Sequence, residues 1–174
     1  MNGIVRERDV KSVVELGVGD GNQASLLDIP VYAGIDVVPL VVERARMRFA
    51  DRAGWTFHEA GTLRPADKRF DMSMSLDVIY HLIEDEVFDA YMRDLTRFAD
   101  RFMLIYASDH DADASAKHVR HRAYSRWLAD HAPEWRLLTR YEHPYPMTDD
   151  SDPDQTSFAF FQLFERGAAV PAGT

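Results

Sequence analysis

The chain has 174 residues, 46% of them apolar, no cysteine and a formal net charge of -9. That length suits one domain with a real core, and the lack of cysteine excludes disulfides, thiolate metal sites, iron–sulfur clusters and cysteine nucleophiles. An acidic surface repels phosphate backbones, no apolar run approaches the roughly 20 residues of a membrane span, and the charged start Met1–Lys11 lacks signal-peptide order, so the expectation is a cytoplasmic protein with neither nucleic-acid nor membrane partners.

Short apolar runs alternate with helical patterns, which predicts an α/β layer fold. Ser12–Leu16 reads as a strand running into the glycine turn Gly17–Gly21, and Asn22–Leu27 as a short helix. Val31–Val38 is a second strand, followed by a helix over Pro39–Asp51 with proline in its first turn. Trp55–Glu59 and Phe70–Ser75 are the third and fourth strands. Glu84–Asp100 is the clearest helix: Val87, Phe88, Tyr91, Met92, Leu95, Phe98 and Ala99 share a face, and Glu84, Asp85 and Glu86 favour its N-terminus. A fifth strand is expected at Phe102–Ala107, then a helix over Ser115–Ala132 stopped by Pro133. Strands at Trp135–Tyr141 and Ser157–Glu165, joined by the loop Glu142–Thr156, complete the pattern, and Gly167–Thr174 is expected to fray. Five crossover strands and two joined directly predict a mostly parallel sheet with the last strand antiparallel. Ligands of such sheets sit beyond the carboxyl ends of the strands.

The strongest local signal is Glu15-Leu16-Gly17-Val18-Gly19-Asp20-Gly21, with a second acid, Asp36, ending the second strand. Glycines allow a tight turn and close approach of a ligand, and a carboxylate at Asp36 suits both hydroxyls of an adenosine ribose. A dinucleotide turn would place its third glycine one residue later, where Asn22 stands. Carboxylates at Glu15 and Asp20 would oppose a pyrophosphate but favour a sulfonium and an ammonium. The glycine run, Asp36 and the segment Phe70–Leu82 together resemble class I S-adenosylmethionine-dependent methyltransferases over about residues 10 to 166. The resemblance implies a single-domain, seven-stranded sheet with helices on both faces. It also implies cofactor contacts at Gly17, Gly19, Asp36 and its neighbour Val37, and adenine contacts at Ala60 and Gly61. Glu15, Asn22 and Asp77 join the cofactor candidates. Few residues precede the first strand, so cover for the site is expected from elsewhere, including a homodimer or protein partner.

Methyl transfer is an in-line displacement, so the protein's main work is alignment and exclusion of water. A hydroxyl acceptor needs a base and a neutral amine does not. His81, after the fourth strand, is a candidate base, or alternatively a packing group under the cofactor. His118 and His121, three apart on the expected helix, are further base candidates within the basic island Lys117–Arg122. That island also suggests an acceptor with an anionic group met by Arg120, or else merely a solvated helix start. Tyr80 and Tyr145 are placed on the acceptor side. Asp109, Asp111 and Asp113 lack the spacing of a cation loop and read as a solvated acidic segment. No metal is expected. The resulting expectation is metal-independent transfer of methyl from S-adenosylmethionine to oxygen or nitrogen of a small molecule, such as a secondary metabolite or sugar. The alternatives are a non-catalytic partner subunit of the same fold and an NAD-dependent oxidoreductase.

Overall fold

The computed structural model describes residues 1–113, 118–147 and 156–167. In chain order the strands are β1 (Ser12–Leu16), β2 (Val31–Asp36), β3 (Trp55–Glu59), β4 (Phe70–Leu76), β5 (Ala99–Ala107), β6 (Ala112–Asp113), β7 (Arg120–His121), β8 (Trp135–Tyr141) and β9 (Phe160–Arg166). Seven of them form one sheet in the order β3-β2-β1-β4-β5-β9-β8, while β6 and β7 pair as a separate short ribbon. Pairings from β3 through β5 are parallel, and β9 lies antiparallel to both β5 and β8. The order reverses between β1 and β4, which opens a crevice at the carboxyl ends of β1, β2 and β4.

The central strands are apolar at nearly every position because both faces are covered. Val13 faces one core with Tyr32, Met72, Met74 and Leu104, closed by the helices α1 (Asn2–Glu7) and α2 (Pro39–Arg48). Val14 and Leu16 face the other with Ala33, Ile35 and Ile105. That side is closed by α3 (Asp85–Phe98), through Phe88, Met92, Leu95 and Phe98, and by α4 (Tyr124–His131), through Tyr124, Trp127 and Leu128.

Several boundaries differ from the sequence expectation for identifiable reasons. Residues 2–7 form α1, whose Asn2 side chain donates to the Leu26 carbonyl and accepts from the Asp28 amide. Asn22–Leu27 contains only a single 3-10 turn, Ala24–Leu26. The strand β2 ends at Asp36, leaving Val37 79% exposed. The strand β5 starts at Ala99 directly after α3, because Ala99 pairs with Phe70 and Asp100 is held by Arg69.

The largest correction falls on Ser115–Ala132. Among its described residues only Tyr124–His131 is helical, and Arg120–His121 is extended and paired with Ala112–Asp113. Buried Arg122 anchors this segment elsewhere, and Asp111 and Asp109 accept the amides of Ala123 and Ser125, so they cap α4 rather than serving only as a solvated loop. Residues 114–117, including Lys117, lie outside the described residues, as do Asp149, Asp150, Asp152, Asp154 and the tail from 168.

Candidate functional site

The crevice is a cavity of about 420 Å³ whose walls include Gly17, Asp36, Val37, Ala60, Gly61, Asp77 and His81. Its floor is set by the glycine turn. Gly17 has φ 84, and a Cβ there would stand 2.4 Å from Val78 Cγ2, so the loop after β4 closes directly onto it. Gly19 has φ 56 and open space where its Cβ would be. The Gly19 amide donates to Asp36 Oδ2 at 3.0 Å and the Val38 amide to Asp36 Oδ1 at 3.0 Å. These bonds fix the carboxylate at the mouth, and each oxygen keeps a lone pair for a ligand hydroxyl.

On the opposite side Asp77 adopts φ 60, a conformation uncommon outside glycine, held by its amide N–H donating to the Tyr106 carbonyl and by the Tyr80 hydroxyl donating to its carboxylate. Burial and Asp77 push the Tyr80 hydroxyl far above its ordinary acidity range, so Tyr80 is a donor and not a phenolate base. His81 lies beside it, ring centroids 4.7 Å apart. The His81 ring is stacked on His118 at 6.0 Å, and its Nδ1 sits 3.1 Å from the His118 carbonyl.

Tyr80 does not itself line the cavity but opens an aromatic cluster beside it. Phe158 sets its edge against Tyr80 at 5.3 Å and against His121 at 5.0 Å. His121 Nδ1 is 2.6 Å from Ser108 Oγ, and its ring stacks on His110 at 4.6 Å. Burial, then the nearby His110, lowers the His121 pKa, which keeps it neutral near pH 7. Because β8 runs parallel to β5 across the intervening β9, the segment after β8 also emerges on the cavity side. It is fastened there by a bond between Ser157 Oγ and Tyr106 Oη at 2.7 Å.

The structure therefore brings together Gly17, Asp36, Val37, Ala60, Gly61, Asp77 and His81 around the cavity, with Gly19 bonded to Asp36 and Tyr80 to Asp77. It separates others. Glu15 is 2% exposed on the opposite face of β1, accepting the Tyr32 hydroxyl at 2.6 Å, and does not line the cavity. Asn22 is tied into the exposed loop by Asp20 and by Arg48, which donates to its Oδ1 at 2.8 Å. Arg120 donates to the Ile83 carbonyl and to Asp85, both at 3.0 Å, so its guanidinium is turned towards the start of α3, and it does not line the cavity. His118 and His121 do not share a helical face, since His121 belongs to the ribbon. Tyr145 is 66% exposed and contacts His143 rather than the cavity.

Three solved structures illustrate what this architecture is similar to. The methyltransferase domain of bacterial CtHen1 matches with a TM-score of 0.72 at 18% identity, covering 95% of this chain and 94% of that one. The N-methyltransferase NodS from Bradyrhizobium japonicum WM9, solved with S-adenosyl-L-homocysteine, matches at 0.67 and 17% identity, covering 96% and 89%. An S-adenosylmethionine-dependent methyltransferase from Clostridium acetobutylicum ATCC 824 matches at 0.66 and 11%, covering 95% and 89%. The chain has the class I methyltransferase fold. No protein-family model and no curated protein sequence matches it.

Within that methyltransferase fold, the wall that sequence reasoning missed comes from α3. Val87, Tyr91, Asp94 and Phe98 line the cavity as one stripe at i, i+4, i+7 and i+11, together with Leu63, Val78 and Leu82. The Tyr91 hydroxyl bridges the Leu16 carbonyl and Ser75 Oγ, 2.8 Å from each, and so braces α3 against β1 and β4. Asp94 interrupts an otherwise apolar stripe, and that irregularity was the available signal. Among the described residues, no group of three or more His, Asp or Glu side chains is arranged to hold a metal ion, and no helix is long and apolar enough to cross a membrane.

Proposed function

We propose that the protein transfers a methyl group from S-adenosylmethionine to oxygen or nitrogen of a small acceptor, without a metal. The observation that carries this reading is Asp36: a fixed carboxylate at the mouth of an otherwise largely apolar cavity, opposite open glycine backbone. Asp36 would bind the two ribose hydroxyls of the cofactor, while Val37, Ala60, Gly61, Leu63 and Val87 would flank its adenine. An exposed Val37 is the kind of apolar surface that a flat base covers. Gly17, Gly19 and Asp77 would hold the amino-acid end. When bound, the sulfonium supplies a methyl carbon already activated for displacement.

A dinucleotide fits less well. A pyrophosphate site needs an α-helix N-terminus after the glycine turn, and only the 3-10 turn Ala24–Leu26 stands there. This replaces the charge argument from Glu15, which faces away.

On the acceptor side, His81 would take a proton from a hydroxyl acceptor, a role supported by its position on the cavity wall beside Asp77. His121, His118, Tyr80 and Phe158 would wall the acceptor, with the segment bearing Tyr145 at the rim. Arg120 and Arg122 share the single carboxylate of Asp85, so the described part of the basic island keeps a net positive charge that would suit an anionic group on the acceptor. The test is incubation with methyl-labelled S-adenosylmethionine and a library of small hydroxyl and amine acceptors. Label transfer to at least one member is expected. Cofactor binding without transfer to any would favour the non-catalytic partner subunit instead.

A further inference from the structure

Arg122 is 5% exposed, the one cation buried to that degree among the described residues. A buried guanidinium is costly unless its donors are matched. Here the matching is directed at a single turn. Nε and one terminal nitrogen donate to the Leu82 carbonyl at 3.2 and 2.9 Å, and the same terminal nitrogen donates to the Ile83 carbonyl. The other terminal nitrogen donates to Asp85, and the guanidinium lies over the Phe88 ring at 4.9 Å. Arg120 adds bonds to Ile83 and Asp85 from the same ribbon. The turn 82–85 is the segment that joins His81 to α3. Its far side is therefore clamped to the strand that follows His118.

The clamp has a chemical consequence. It holds His81 Nδ1 against the His118 carbonyl at 3.1 Å. A carbonyl only accepts, so the proton of the neutral ring must sit on Nδ1, and Nε2 keeps its lone pair. We propose that Arg122 is a positioning residue that selects the Nδ1–H tautomer of His81 and thereby leaves Nε2 as the basic nitrogen at the cavity. The part of this that concerns proton transfer rests on the proposed methyl-transfer reading. The tautomer itself does not.

The experiment is nitrogen-15 NMR of the imidazole ring of His81 in the ligand-free protein at alkaline pH, for wild type, Arg122→Lys and Asp85→Asn. Lysine keeps the charge but cannot donate to Leu82, Ile83 and Asp85 together. Asp85 is mostly solvent-exposed, and asparagine keeps an oxygen to accept from Arg122 while removing the charge. Wild type should show mainly Nδ1–H, and both variants should shift towards Nε2–H, Asp85→Asn less than Arg122→Lys. With a working acceptor, Arg122→Lys should lower kcat about ten- to hundredfold while the Kd for S-adenosylhomocysteine stays within about twofold. An Nε2–H wild type, or a folded variant with an unchanged tautomer ratio, overturns the proposal. A tautomer shift in a protein that transfers no methyl to any acceptor would support the clamp and count against the proposed function.

Discussion

Replacing Glu15 by Gln should remove a pH dependence from folding stability. The Glu15 carboxyl is buried in β1 with the Tyr32 hydroxyl as its hydrogen-bond partner and, among the described residues, no ion-pair partner. Burial raises its pKa from 4.5 to about 7, against the opposing effect of the Tyr32 bond. The folded protein thus retains a proton that the unfolded chain releases. Stability contributed by this group is fully present below pH 4.5, is lost as pH rises towards about 7, and is level above that. Over that interval the loss amounts to about 3 kcal/mol. Glutamine keeps an acceptor for Tyr32 and does not titrate, so Glu15→Gln should gain about that much on wild type between about pH 5 and about pH 8. Urea unfolding of both proteins across the range measures this, and the difference between them cancels the other titrating groups. Parallel stability curves would refute the reasoning and would mean that the carboxyl is hydrated or paired.

Asp36→Ala should weaken S-adenosylmethionine binding about ten- to hundredfold, from about 1.5–3 kcal/mol of lost charged hydrogen bonds, as read by calorimetry. Gly17→Ala should destabilise the protein by about 1–3 kcal/mol in urea unfolding, because alanine is strained at φ 84 and its Cβ meets Val78. The same variant should bind cofactor more weakly. Chelators should leave methyl transfer intact; loss of turnover restored by a divalent cation would contradict the metal-free reading.

Much of the fold was legible because it is written locally. The apolar runs of β1 to β4, the glycine turn and Asp36 need only neighbouring residues to be recognised. The alternation within β1 also held what was needed to place Glu15: Val14 and Leu16 point one way, so the residue between them points the other. The wall from α3 was legible as an apolar face, and in the stripe Val87, Tyr91, Asp94 and Phe98 only Asp94 distinguishes a cavity wall from core. The region 118–132 was not legible as it folds. Its helical pattern is overridden by Arg122 reaching Leu82, Ile83 and Asp85, partners 37 to 40 residues away. With that went the shared helical face of His118 and His121.

The central claim is the identity of the cofactor, and titration calorimetry of the wild-type protein against S-adenosylmethionine, S-adenosylhomocysteine and NAD tests it most directly. The account predicts saturable binding of the first two at one site per chain, weakened by Asp36→Ala, and no heat of binding for NAD. Binding of NAD, or no binding of either sulfur-containing ligand by the folded protein, would contradict it.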